Sequence, residues 1–432
     1  MNGIGSGKGR CPVFFSCCLS CVATSAFKTP EAHVYYQKHL EADRDLIEEP
    51  EVIIGIDGSC LQGVRTGVGW YLTNLLEALS HVLEEDKIYV WMNNPSPEER
   101  ARVNENRFVS VNVTHYPWAA LKLTWNTLGT PAMDSLVGRP ADVYFYPNYL
   151  PLPQKQGKKV LFVHDLTYLT NPELASQETL KHLGPTLEKQ EEKADLILTC
   201  SEYNRQEMLK HFKNLPETKV RVIPHGLPDP FRGPAKADKV AAVREKYNLN
   251  HPYFLFVGTL ELRKNLLRLV HSFLLFKQKT NAEHQLILAG PKGWIGDDFM
   301  GFIQSPQLLG KVRWLDYIPA DELPALYTGA SAFLFPSLKE GFGMPLLEAM
   351  GIGTPVLCSN SAAIPEVVGD GAWSMNPGNV GEWAKAMERI ATEPTFSEVL
   401  REKGKARVSL FSLENTAKQT LAALKMVAQV RS

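Results

Sequence analysis

From Glu51 onward the chain repeats one pattern: a short continuous apolar run, then an amphipathic stretch. "EVIIGID" (51–57), "KIYVWM" (87–92), "FVSVNV" (108–113), "DVYFY" (142–146), "KVLFVHD" (159–165), "DLILTC" (195–200) and "VRVIP" (220–224) read as strands. Stretches such as "GWYLTNLLEALSHVLEE" between them read as helices. A strand with one wet face alternates apolar and polar residues. These runs do not, so both faces are buried, as in a parallel sheet covered by helices. After the Pro- and Gly-rich "HGLPDPFRGPAKAD" (225–238), read as a linker, the pattern restarts. "YFLFVG" (253–258), "QLILAG" (285–290), "VRWLD" (312–316), "AFLFP" (332–336), "PVLCS" (355–359) and "AWSM" (372–375) form the second series. "SLENTAKQTLAALKMVAQV" closes the chain as one long amphipathic helix.

The fold class is therefore α/β, with two Rossmann-like parallel-sheet domains facing across a cleft. The expected boundaries are a poorly ordered leader at 1–49, domains at 50–230 and 231–410, and the final helix at 411–432. Ligands of such sheets bind at the carboxyl ends of the strands.

Composition excludes several function classes. With 44% hydrophobic and 22% charged residues and a net charge of −1, the chain has no overall attraction for nucleic acid. No apolar stretch approaches the roughly 20 residues needed to span a bilayer, so any membrane contact is expected to be peripheral and the location cytoplasmic. Four of the seven cysteines (Cys11, Cys17, Cys18, Cys21) cluster near the start, without the paired spacing or nearby histidine of a zinc site. Cys60, Cys200 and Cys358 read as reduced core cysteines. The leader carries a signal-peptide-like pattern, Lys8 and Arg10 before a short apolar segment, but reads better as an unstructured or mis-started extension. Its "GSGKG" lacks the spacing and preceding strand of a phosphate loop. The Asp-x-Asp at Asp43-Arg44-Asp45 also lies in the leader, not at a strand end inside a folded domain where a metal site would be wanted, so no metal and no cofactor are expected.

Two segments of the second unit carry chemistry. "LFVGTLELRKN" puts Gly258 at a strand end and Arg263-Lys264 at the start of the next helix, a fork and a point charge suited to a diphosphate. "SLKEGFGMPLLEAMG" (337–351) holds Glu340 and Glu348 with seven residues between them. Pro345 suits a first helical position and Gly351 the far end, so the amides of Gly341, Phe342, Gly343 and Met344 approach a helix N-terminus, an anion-binding edge. Like charges repel, so the carboxylates suit sugar hydroxyls better than phosphates. On an ordinary helix Glu348 would be a solvated residue; apolar neighbours on both sides argue against that here.

The Glu-seven-Glu spacing around "EGFGMPLLEAM", with "GTLELRKN" and "LPALYTGASAFLFPS" upstream, resembles the family-four retaining glycosyltransferases of the GT-B fold, over residues about 50 to 430. The resemblance implies that Glu348 contacts the donor's ribose, Glu340 the transferred hexose, and Arg263 and Lys264 its diphosphate. Ile318, in "DYIP" (316–319), would sit against the nucleobase. Gly67 and Gly69 in "GVRTGVGWYLTNLLEAL" match the family's glycine loop beside the donor phosphate. They are not a dinucleotide fingerprint, because the third glycine is missing and strand two ends in Asn93-Asn94.

His164 and Asp165 end a strand in "FVHDLTY"; by resemblance His164 touches the transferred sugar and Asp165 orients it. Asn148 and Tyr149 in "YPNYLP", and "SEYNRQE" (201–207) with Ser201 as a helix cap, are expected on the acceptor side. The helical face of Trp118, Leu121, Trp125 and Leu128 either packs into the first domain or contacts a membrane surface or lipid acceptor.

The implied function is a metal-independent retaining hexosyltransferase of polysaccharide biosynthesis. Its partners would be a nucleotide sugar, GDP-mannose first or a UDP-sugar, and a saccharide or lipid-linked acceptor. A nucleotide-sugar epimerase on the same fold, or a non-catalytic nucleotide-sugar-binding partner subunit, stands as the alternative. A phosphorylase is disfavoured by length.

Overall fold

All thirteen apolar runs become parallel strands in the computed structural model, which describes residues 51–63, 67–103, 105–149, 151–177, 179–180 and 193–430. The leader, with its cysteine cluster and Asp43-Arg44-Asp45, lies outside the described residues, as do positions 64–66 of the glycine loop. The first sheet holds β1 (Ile53–Asp57), β2 (Lys87–Asn93), β3 (Val109–Thr114), β4 (Val143–Tyr146), β5 (Lys158–Val163), β6 (Leu196–Thr199) and β7 (Val220–Val222). Their order is β3-β2-β1-β4-β5-β6-β7. The second holds β8 (Tyr253–Val257), β9 (Gln285–Ala289), β10 (Val312–Trp314), β11 (Ala332–Phe335), β12 (Val356–Ser359) and β13 (Trp373–Met375), ordered β10-β9-β8-β11-β12-β13. Side chains on both faces of the central strands are buried: Phe254, Leu255, Phe256, Phe333, Leu334 and Phe335 have no exposure. That is why the runs are continuous rather than alternating.

In each sheet the strand order reverses beside one strand. β8 lies between β9 and β11, paired Phe254 to Leu286 on one side and to Ala332 on the other. Loops leaving β8 and β11 diverge to opposite sides, and a crevice opens at their carboxyl ends. The first sheet repeats this at β1 and β4.

The Pro- and Gly-rich stretch read as a linker is instead packed. His225, Leu227 and Phe231 are buried, and the Leu227 N–H donates to the Phe411 carbonyl at 3.0 Å where the chain crosses back. Gly226 is required there, since a Cβ would lie 2.3 Å from the Leu413 backbone. Composition signalled irregular backbone, not exposure. The closing helix, Leu413–Gln429, then packs on the first half's Gly67–Val82 helix.

The Trp118–Leu128 helix splits its apolar face. Leu121 is buried, and Trp125 meets the buried Trp91 edge-on at 6.0 Å while its Nε1–H donates to the Pro131 carbonyl. Leu128 at the helix end is 72% exposed and Trp118 is 40% exposed. No helix among the described residues is long and apolar enough to cross a membrane.

Candidate functional site

Arg263 and Lys264 follow β8, and Glu340 follows β11, so the strand order brings them to one crevice. The two cations sit not in the α-helix that follows but in a single 3-10 turn before it, Leu262–Lys264. Asn265 at φ 58 closes that turn before the Leu266–Lys279 helix begins. The left-handed residue breaks the helical path and turns both cations toward β11. The Arg263 carbonyl accepts from the Leu338 N–H at 2.8 Å, fixing one loop against the other.

Glu340 receives both cations. Arg263 Nη1 lies 2.5 Å from Glu340 Oε2, and Lys264 Nζ lies 2.6 Å from Oε1. Arg263 Nε meets Glu261 Oε1 at 2.7 Å. Lys264 also lies over the Phe335 ring, 4.9 Å from its centroid. Lys264, Glu261 and Glu340 are all buried. Burial alone would raise the Glu340 carboxyl; Arg263 and Lys264 outweigh it and hold the group at about 2. Burial, then the Arg263 charge, push the Lys264 ammonium down against the pull of Glu340. Glu261 is raised by burial in spite of Arg263. Glu261 is a site residue the sequence did not disclose: in "TLELRKN" nothing separates it from a solvated loop carboxylate.

Gly258 belongs to the same crevice. It adopts φ 147, and a Cβ on Gly290 would fall 2.2 Å from its carbonyl oxygen. The Gly290 N–H donates to the Asp316 carbonyl at 2.7 Å, so the ends of β8, β9 and β10 are stitched together. Ile318, two residues on, is buried while Tyr317 is exposed.

The Met344–Ile352 helix begins at Gly343, whose φ of 96 only glycine adopts without strain. No side chain caps its first amides, leaving them available to an anion or hydroxyl. Its far end is Gly353 at φ 88, not Gly351. Gly351 is needed for packing instead, since a Cβ there would lie 2.5 Å from Leu227 and from the Phe231 carbonyl. Glu348, one turn into the helix, accepts from the Tyr327 hydroxyl at 2.9 Å. Its desolvation raises the carboxyl to about 7.

The facing wall comes from the first half. Gly341 is not open to a ligand on its Cα side, because a Cβ would sit 1.9 Å from the His164 carbonyl. Its own carbonyl accepts from Ser201 Oγ at 2.7 Å and Asn204 Nδ2 at 3.2 Å. Phe342 stands edge-on to His225 at 4.9 Å, and His225 lies 5.6 Å from His164. His164 Nε2 lies 2.8 Å from the Pro147 carbonyl, which only accepts, so Nε2 carries the proton and Nδ1 is the acceptor. Burial lowers this ring to about 4, so it is neutral at physiological pH.

Asp165 Oδ1 accepts from the Thr167 N–H, and the Asp165 N–H donates to the Tyr149 hydroxyl, both at 3.0 Å. Tyr149 has φ 58; Asn148 beside it is exposed. Gly67, at the start of its helix, has open space where a Cβ would be, and Gly69 is buried. Tyr71, on the same first turns, meets His164 edge-on at 5.2 Å.

Two further contacts join the halves and were not read from the sequence. Lys339 reaches Thr170 and, at 3.2 Å, Glu207. Glu366 accepts from the N–H groups of Glu202 (2.7 Å) and Tyr203 (3.0 Å) at the start of the Glu202–His211 helix. A lysine or glutamate that crosses between halves has no local sequence signature.

The raised Glu348 carboxyl has a consequence for stability. The folded protein holds this proton more tightly than the unfolded chain, so the favourable contribution is complete below the ordinary value of 4.5 and is lost as pH rises through about 7. Glu348→Gln is therefore expected to melt above wild type at pH 8, with the gap narrowing as pH falls toward 4. Equal melting temperatures at pH 8 would show that Glu348 ionises without cost.

Residues 240–407, which contain Arg263, Lys264, Glu340 and Glu348, match the family described as "Glycosyl transferases group 1". The O-antigen chain mannosyltransferase B of Escherichia coli is 33% identical over 288 residues, covering 66% of this chain and 74% of that protein. Serotype-specific mannosyltransferase WbdA of Escherichia coli is 28% identical over 274 residues; the match covers 62% of this chain but only 33% of that longer protein. Among solved structures, Anabaena HepE in complex with UDP and glucose superposes with a TM-score of 0.66 at 16% identity, over 87% of this chain and all of its own, which supports the GT-B fold. Two parallel-sheet halves, paired acids beside paired cations and these relatives lead to one assignment: the chain belongs to the group 1 glycosyltransferases.

Proposed function

We propose that this glycosyltransferase moves mannose from GDP-mannose to a saccharide or lipid-linked acceptor, with retention of anomeric configuration and without a metal. The choice of mannose rests on relatives named as mannosyltransferases, two of them as O-antigen chain mannosyltransferases. The observation that carries the reading is the convergence of Arg263 and Lys264 on Glu340, beside an uncapped helix N-terminus.

In this reading Arg263, Lys264 and the amides from Gly341 to Met344 stabilise the leaving diphosphate. Glu348 accepts from the ribose, Glu340 from the transferred hexose, and Ile318 lies against the nucleobase. Gly67, Gly69 and Gly258 give the phosphates close access to main chain. Neutral His164 offers Nδ1 to a sugar hydroxyl, and Asp165, Asn148 and Tyr149 shape the acceptor side. The two halves exclude water, so fixed charges act at full strength on charge that develops as the sugar departs. The acceptor attacks from the leaving-group side, and no protein nucleophile is assigned. Exposed Trp118, Leu123 and Leu128 support peripheral contact with a membrane carrying a lipid-linked acceptor.

Isothermal titration against GDP-, UDP- and ADP-sugars, followed by product analysis with and without acceptor, tests this. GDP-mannose is expected to bind more tightly than the other donors and to be consumed only with acceptor. Preference for another donor overturns the mannose assignment; rapid donor consumption without acceptor points to epimerisation or hydrolysis instead.

A further inference from the structure

The cations assigned to the diphosphate are already taken in the free enzyme. Lys264 Nζ is 2.6 Å from one Glu340 oxygen, and Arg263 Nη1 is 2.5 Å from the other. Glu261 holds Arg263 Nε at 2.7 Å. Two cations thus meet two carboxylates in a buried site. A diphosphate carries a charge on each phosphate. Added to an intact cluster, it would place buried anions against Glu340 with Arg263 and Lys264 both already paired, which a low-dielectric crevice does not sustain.

One carboxylate has to give way, and the geometry selects which. Glu261 is 2% exposed and belongs to the same β8 loop as Arg263, so it travels with its partner. Glu340 arises from the other loop, next to Gly341 and three residues before Gly343 at φ 96, and it bridges both cations across the crevice.

We infer that Glu340 is an internal counter-ion whose carboxylate occupies the diphosphate's seat on Arg263 and Lys264 and must leave it for the donor to bind. The inference rests on the donor reading proposed above and extends it. The same carboxylate that a hexose hydroxyl receives after binding is the group that competes with the diphosphate before binding. An empty site therefore keeps its cations paired and dry, and donor affinity is reduced by the strength of the displaced pairs. The role makes an unusual demand: removing a donor-site residue should tighten binding of part of the donor.

Inorganic pyrophosphate and GDP, titrated into the wild type and Glu340→Gln, provide the test. Glu340→Gln is expected to bind pyrophosphate about tenfold more tightly, on the scale of one charge-assisted hydrogen bond released, while mannosyl transfer collapses. It is also expected to melt lower than wild type without ligand and to gain more from pyrophosphate. Equal or weaker pyrophosphate binding by the folded variant overturns the inference, as does absence of pyrophosphate binding to both proteins. Should the variant fail to fold, a wild-type structure with pyrophosphate decides: Glu340 is expected beyond hydrogen-bonding distance of Lys264, and persistence of both ion pairs beside the ligand overturns the inference. Because pyrophosphate has neither base nor sugar, tighter binding to Glu340→Gln with no binding of any nucleotide sugar would sink the donor reading and leave the counter-ion exchange standing.

Discussion

Lys264→Met is expected to lower transfer turnover at least about a hundredfold, the scale of one preorganised stabiliser lost from a transition state. The ammonium is buried against the Phe335 ring, 2.6 Å from Glu340 and beside Gly258. It cannot be replaced by solvent cations, and its charge acts where the dielectric is low. Lys264→Arg is expected not to restore the rate. The compact ammonium is held between the Phe335 ring and Glu340 Oε1, with the Arg263 guanidinium on the other Glu340 oxygen, and a second planar fork does not match that point-charge seat. Steady-state kinetics with saturating donor, alongside a thermal melt to confirm folding, measure this. Turnover within about threefold of wild type in a folded Lys264→Met would remove Lys264 from the leaving-group role.

The second large effect is expected from a single methyl group. In Gly341→Ala the new Cβ would lie 1.9 Å from the His164 carbonyl, 2.8 Å from Asn204 Nδ2 and 2.9 Å from the Asp165 side chain. Backbone cannot yield by that much, so the two halves must separate, breaking the bonds from Ser201 and Asn204 to the Gly341 carbonyl. Misplacement of about 1 Å between reacting groups can cost about a hundredfold, and a fall of that size in turnover is expected. Donor affinity should change far less, because Arg263, Lys264 and Glu348 all belong to the second half. The test is that split between turnover and donor binding. Gly301→Ala, where nothing lies within 4 Å of the new Cβ, is expected to behave as wild type. A normal turnover in Gly341→Ala would mean that the closed contact between Gly341 and His164 is not the reactive arrangement.

The electrostatics of the two acids also separate their tasks. Glu340 and Glu348 are one residue type with seven residues between them, yet one is held at about 2 by adjacent cations and the other sits at about 7, raised by burial beside the Tyr327 hydroxyl. Spacing alone brings both to one end of one helix. The difference in their ionisation comes from the loop after β8, some eighty positions earlier in the chain, which supplies cations to one and not the other.

Sequence alone determined the strands, the two-sheet plan and the candidate pairs, because each rests on short-range signals: continuous apolar runs for buried parallel strands, glycines where the backbone turns left-handed, acids at fixed spacing around a helix start. Tertiary structure decided what no local pattern encodes. Strand order set Arg263 and Lys264 against Glu340 across the crevice. The return crossing at Phe411 turned an expected linker into buried backbone. Packing against Leu227 claimed Gly351 for the helix interior and left Gly353 to end it. Glu261, Lys339 and Glu366 acquired their roles from residues on other elements. The physical reason is the same in each case: a side chain's charge, burial and freedom depend on what surrounds it in space, and those neighbours are chosen by the order in which strands pair.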